Sequence, residues 1–107
     1  MFSWIISFFK KEAEWYEPED STPREQCPCC DYVSLPERSN YLICPICFWE
    51  DDGQDIDDLD RHSGPNHMTL REGRESFSNF GACEERHVKN VISISERKRF
   101  VLKVRAL

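Results

Sequence analysis

Cys27-Pro28-Cys29-Cys30 and, 13 residues further on, Cys44-Pro45-Ile46-Cys47 decide the fold. Each half contains Cys-Pro-x-Cys. A turn of this kind aims two sulfurs at one ion, and two such turns complete a tetrahedron of four thiolates. The spacing is that of the paired knuckles of a zinc ribbon. Between them, Tyr32–Leu35 and Asn40–Ile43 have strand character and Pro36–Ser39 suits a turn, so the expected link is a hairpin that brings the knuckles together. The expected ligands are Cys27, Cys30, Cys44 and Cys47. Cys29 could chelate in place of Cys30, but only Cys27 with Cys30 repeats the spacing of the second pair. Four thiolates leave no open coordination position, so the expected Zn2+ is structural and not catalytic.

Two cysteines remain. Cys29 reads as a partly exposed spare thiol, and Cys83 as a small buried residue. The alternative is a second metal or thiol site made by Cys29, Cys83 and His87, since Cys83 and His87 lie one turn apart on a helix.

Outward from the knuckles, the chain has 107 residues, room for one small domain. Six cysteines are too few for a disulfide scaffold. Lys and Arg number 14 against 20 Asp and Glu, a net charge of −6, which argues against a general nucleic-acid binder. No apolar run approaches the ~20 residues of a membrane span, and Phe2–Phe9 lacks the preceding basic residue of a signal peptide. The expected compartment is the cytoplasm, where thiols stay reduced and serve metals.

Three regions follow. Residues 1–26 form a leader and a polar linker; Ile5, Phe8, Phe9, Ala13 and Tyr16 share one face at helical spacing. That helix either lies against the domain or binds a partner or membrane surface. Residues 27–90 form the cysteine-rich domain, and 91–107 a basic C-terminal segment. Within the domain, Thr69 and Glu72 form a capping box and Gly81 a left-handed cap, which predicts a helix over 69–80 with Leu70, Phe77 and Phe80 buried. Gly73 inside it costs helix propensity or permits a close backbone approach. In the tail, Ser95 can cap a helix with Phe100, Val104 and Leu107 on one face. The alternation of Phe100, Leu102 and Val104 suits a strand equally; we expect the helix.

Charge is strongly polarised. Glu50 to Asp60 carries seven acids and no base, while Arg86 to Leu107 carries seven bases and one acid. The acidic run is either a solvated loop or a surface for a basic protein partner, with Asp51, Asp52, Asp55, Asp57 and Asp58 as contacts. Trp49 beside it either anchors that partner or covers a knuckle. The tail bases either contact phosphates, face solvent or neutralise the acidic loop. No phosphate-binding glycine loop or nucleophile triad can be singled out, so no enzyme is expected; His62 and His67 read as loop polars.

Cys27-Pro28-Cys29-Cys30-Asp31-Tyr32, the run Tyr41 to Asp52 around the second knuckle, Gly64-Pro65-Asn66 and Phe77 to Cys83 together resemble the bacterial cysteine-rich CPCC domain family, over about residues 27–90. The resemblance implies a small α+β protein, zinc-ribbon-like and decorated by short helices, with zinc on Cys27, Cys30, Cys44 and Cys47. It also implies a kinship with immunity proteins carried beside toxin genes. Asp31 departs from the glycine usual at its position, and Cys29 and Cys83 match family cysteines. The expected function is non-catalytic: an immunity or antitoxin-type inhibitor that binds and neutralises a basic toxin domain. The rival readings are a nucleic-acid-associated zinc ribbon and a metal- or thiol-responsive protein.

Overall fold

The computed structural model describes residues 16–107, so the helical leader expected over 2–16 lies, save for Tyr16, outside the described residues. Each knuckle sits on a small hairpin of its own. Strands β1 (Glu25–Gln26) and β2 (Tyr32–Leu35) pair antiparallel and flank the first. Its turn is closed by Cys27 N–H donating to Tyr32 O (2.8 Å) and Asp31 N–H donating to Cys27 O (3.1 Å). The second repeats the pattern: Cys44 N–H donates to Trp49 O and Phe48 N–H to Cys44 O, both at 2.9 Å. The residue after each second ligand turns left-handed, Asp31 at φ 69° and Phe48 at φ 73°. Aspartate tolerates this region better than most side chains, which explains how Asp31 can hold the turn.

The expected hairpin joining Tyr32–Leu35 to Asn40–Ile43 does not form. Ser39 (φ 68°) and Tyr41 (φ 61°) are left-handed and break an extended run. The segment instead folds back on its own continuation, with Tyr41 N–H donating to Asp51 O, Asp51 N–H to Leu42 O, and Ile43 bridging Glu50. Both edges of β2 are also taken. β1 lies on one and β5 (Val101–Leu102) on the other, with Tyr32 opposite Leu102 and Val33 opposite Val101.

That last pairing corrects the expected C-terminal helix. A single 3-10 turn, Glu96–Arg99, precedes β5. Ser95 makes no side-chain cap. Ser93 and Glu96 bond reciprocally instead, Ser93 N–H to Glu96 Oε1 (3.0 Å) and Glu96 N–H to Ser93 Oγ (3.2 Å). The open edge of β2 then offers Val101–Leu102 backbone partners that a lone helix turn lacks.

A second two-stranded sheet, β3 (His62–Ser63) with β4 (Met68–Thr69), carries Gly64-Pro65-Asn66 at its turn. Asn66 works as a strand substitute. Its side chain accepts from Glu50 N–H (2.9 Å) and donates to Glu50 O (2.8 Å), bracing the chain just past the second knuckle.

Helix α1 (Leu70–Phe80) follows with both halves of its capping box made and Gly81 left-handed at φ 90°. Leu70 is buried and Phe77 rests on the core, but Phe80, expected inside, is 48% exposed. Gly73 permits the close approach: a β-carbon there would stand 2.8 Å from Trp49 Cζ3 and 3.1 Å from Cε3. Gly73→Ala gains about 1 kcal/mol of helix propensity in an open helix. Here it is expected to destabilise by about 1–2 kcal/mol, because the buried ring has no room to give. A melting temperature unchanged or raised would contradict this.

The core is unusual in its chemistry. All six cysteines belong to it, joined by Leu35, Leu42, Ile46, Trp49 and Leu70. So few large apolar side chains leave much of the stabilisation to whatever the thiols hold.

Candidate metal centre

The sulfurs of Cys27, Cys30, Cys44 and Cys47 all lie within 4.8 Å of one another, and all four residues are buried. The close pairs cross between knuckles: Cys27 to Cys47 at 3.6 Å and Cys30 to Cys44 at 3.8 Å. A tetrahedral ion with metal–sulfur bonds of about 2.3 Å requires sulfurs about 3.8 Å apart, so the set fits such an ion. None of the six cysteines is in a disulfide.

Two further groups address the sulfurs. Ser34 Oγ lies 3.1 Å from Cys44 Sγ, and Ile46 N–H points at the same sulfur from 3.4 Å. Burial pushes the Cys30 and Cys47 thiols well above the usual range. Burial raises Cys44 too, but hydrogen bonds from Cys27, Cys30, Cys47 and Ser34 overcome it and draw that thiol well down. A divalent cation supplies the positive charge that lets all four ionise together.

Cys29, Cys83 and His87 are not among the residues that form a metal-competent group. Among the described residues the four-thiol set is the metal-competent group. Cys29 is not a partly exposed thiol: it is 2% exposed, beneath Gly73 of α1. Cys83 is buried as expected; its N–H donates to Cys47 O at 2.7 Å, and burial raises its thiol. The His87 ring stacks on Phe48, centroids 4.3 Å apart, with Asn90 Nδ2 3.1 Å from its Nδ1.

The acidic run is tied into the fold at its start and is more open towards its end. Asp51 is fully buried and accepts from Arg38 Nε (2.9 Å), Ser39 N–H (2.7 Å) and Gly53 N–H (3.0 Å). Asp52 accepts from Ser63 Oγ and Gln54 N–H. Asp55 meets Arg38 at 2.7 Å and Arg105 at 3.1 Å, and Asp58 is paired with Arg61. Trp49 is fully buried against Gly73 and so covers the core, not a partner. Trp49 and Asp51 therefore leave the expected partner surface, and Asp57 alone of the six residues is exposed.

These pairs join into a relay that ends on the first knuckle: Asp51, Arg38, Asp55, Arg105, Asp31, Arg74. Arg105 Nη2 and Arg74 Nη1 each stand 2.8 Å from Asp31 Oδ1. Arg105 N–H holds the other oxygen at 3.0 Å, and Arg74 also donates to Pro28 O. Signs alternate along the six groups and sum to zero. Arg38 and Arg74 were not legible as site residues, because each meets carboxylates far away in the chain. Only the bare possibility that the tail neutralises the acidic loop was.

Burial works to raise the Asp31 and Asp55 carboxyls, but Arg74 and Arg105 at Asp31, and Arg38 and Arg105 at Asp55, hold both below the usual carboxylate range. A carboxyl lowered on folding stabilises fully above its unfolded value of about 3.9, and that contribution is lost as pH falls through the folded value. Melting temperature is thus expected to drop below about pH 4. Arg105→Met should lower it at neutral pH and flatten that drop. Acid release of a metal is common to both proteins and cancels in the difference, so parallel curves would contradict the relay.

Two buried knuckles with four convergent thiols define a small cysteine-rich protein with a metal-competent centre. Within that class, the chain belongs to the cysteine-rich CPCC family, whose model matches residues 25–98. No curated protein and no solved structure matches it. Strand β5 and Arg105 lie beyond the matched range. No described helix is long and apolar enough to cross a membrane.

Proposed function

We propose that this chain is a non-catalytic zinc protein, zinc-ribbon-like in fold, whose metal centre holds a surface for a protein partner. The carrying observation is the closed set of four buried sulfurs at tetrahedral spacing. Four thiolates fill the coordination sphere and leave no position for a substrate or an activated water. Soft thiolate ligands in a tetrahedron favour zinc, with iron as the competitor. The specific role we assign is that of an immunity or antitoxin-type inhibitor, cytoplasmic, which binds a bacterial toxin. Its support is the kinship with immunity proteins that the family resemblance implies, and the apolar side chains left exposed on a small chain.

Elemental analysis of the purified protein tests the metal; one zinc per chain is expected, and Co2+ substitution should give the spectrum of a tetrahedral tetrathiolate. Iron in its place would change the assignment to a redox protein. Affinity purification from the source cell tests the partner. A co-purifying toxin domain is expected, and nucleic acid recovered instead, in a steeply salt-dependent way, would favour the nucleic-acid reading.

A further inference from the structure

The hydrogen bonds of the C-terminal segment after Phe100 gather at the first knuckle. Lys103 N–H donates to Asp31 O at 3.1 Å, and Gln26 Nε2 donates to Lys103 O at 2.6 Å. Arg105 N–H donates to Asp31 Oδ2 at 3.0 Å, its Nε to Asp31 Oδ1 at 2.9 Å, and its Nη2 reaches Cys27 O at 3.5 Å. These partners are the ligand Cys27 itself and the residues that flank Cys27 and Cys30. The second knuckle is supported differently. Cys83 N–H donates to Cys47 O and Ile92 N–H to Pro45 O at 3.1 Å, and both donors belong to residues buried in the core or packed against it. Asn66 braces Glu50 just beyond.

Little apolar burial holds the tail. Val101 is 60% exposed, Leu102 47% and Val104 76%. Phe100 packs against the core and fixes the root of the segment. A segment held by polar bonds at the surface opens at lower free energy than a packed core. It can therefore lift as a strap while α1, the second knuckle and the buried cluster stay in place. Lifting takes Lys103 and Arg105 away from Asp31 and uncovers one edge of β2. Asp31 keeps Arg74, so the turn is loosened and not stripped of its counter-charge. Support for Cys27 and Cys30 then falls, among the described residues, to β1 and Arg74.

We propose that this C-terminal strap is a latch on the metal centre. Seated, it traps the ion; lifted, it lets the first knuckle release the ion ahead of the second. The inference rests on the zinc reading above and adds a control on exchange. The four sulfurs set how tightly the ion is held, and the strap sets how quickly it leaves.

The test mixes the full chain, loaded with one Zn2+, with excess 4-(2-pyridylazo)resorcinol and follows zinc transfer by colour. Arg105→Met removes the guanidinium and should speed transfer at least about tenfold. Lys103→Pro removes the N–H that Asp31 O accepts and should speed it about fivefold. Both variants should keep one zinc per chain. Asn66→Ala loosens the brace of the second knuckle instead and should change the rate less than about twofold. A measurement on the wild-type chain stands beside these: brief alkylation of the zinc-loaded protein with N-ethylmaleimide, followed by peptide mapping, should label Cys27 and Cys30 before Cys44 and Cys47. Unchanged transfer in both strap variants overturns the proposal. So does equal acceleration by Asn66→Ala, or earlier labelling of Cys44 and Cys47, and each of these leaves the zinc reading standing. A chain that purifies without zinc and takes none up removes that reading and the latch with it.

Discussion

Stripping the metal with a strong chelator is expected to unfold the protein outright. Binding of a structural zinc contributes on the order of ten kcal/mol in small modules. Whole domains are stable by about 5–15 kcal/mol. Here the buried cluster holds five apolar side chains besides the thiols, Leu35, Leu42, Ile46, Trp49 and Leu70, with seven partly buried ones packed against it. Nothing of comparable size replaces the ion. Far-UV circular dichroism should lose the α1 signal on chelation and regain it when zinc is restored. Cys44→Ser should behave like the chelated protein, because Cys44 is the sulfur that Ser34 and Ile46 N–H both address. Cys29→Ala is the control: it leaves the four ligands intact and should keep one metal per chain. A chelated protein that keeps its cooperative melt would show that the core suffices alone.

The second large effect is at Asp31. Its side chain is 6% exposed and faces Arg74 and Arg105. Removing one partner of a buried ionic group costs about 3–5 kcal/mol, since the remaining charges stay desolvated. Asp31→Ala adds strain at φ 69°, where alanine is disfavoured by about 1–2 kcal/mol. Asp31→Gly removes the strain but not the loss of charge, and Asp31→Asn keeps the tolerance for that backbone and some hydrogen bonds. Urea denaturation should therefore rank wild type above Asn, Asn above Gly, and Gly above Ala. If Gly equals wild type, the relay contributes nothing and Asp31 is only a substitute for glycine.

What the sequence disclosed and what it hid divide along one physical line. Short-range chemistry was legible. The knuckle ligands repeat a spacing within four residues, and Thr69, Glu72 and Gly81 name the ends of α1 by local hydrogen bonds. Long-range choices were not. Tyr32–Leu35 and Asn40–Ile43 both look like strands, but pairing them needed an extended Tyr41, and no residue type announces φ 61° there. The acidic run looked like one surface because charges were read along the chain; Arg38, Arg74 and Arg105 reach it only in space. One signal was local and overlooked. Ser93 and Glu96 have capping-box spacing, which places the tail's turn two residues before Ser95 and leaves Val101–Leu102 to become a strand.

The two hairpins differ in how much chain each must wait for. Ile43 bridges Glu50 only seven positions on, so the second knuckle can assemble as soon as Trp49 has been made. In the first, Tyr32 finds Leu102 seventy positions later, and Asp31 finds Arg105 later still. Short loops close at less entropic cost and sooner than long ones. On a chain emerging from the ribosome, Cys44 and Cys47 are thus presented as a ready pair. Cys27 and Cys30, although synthesised first, gain their full support last. The first knuckle's own turn is as local as the second's, Cys27 to Tyr32, so what waits for the end of the chain is its outer support, β5 and Arg105.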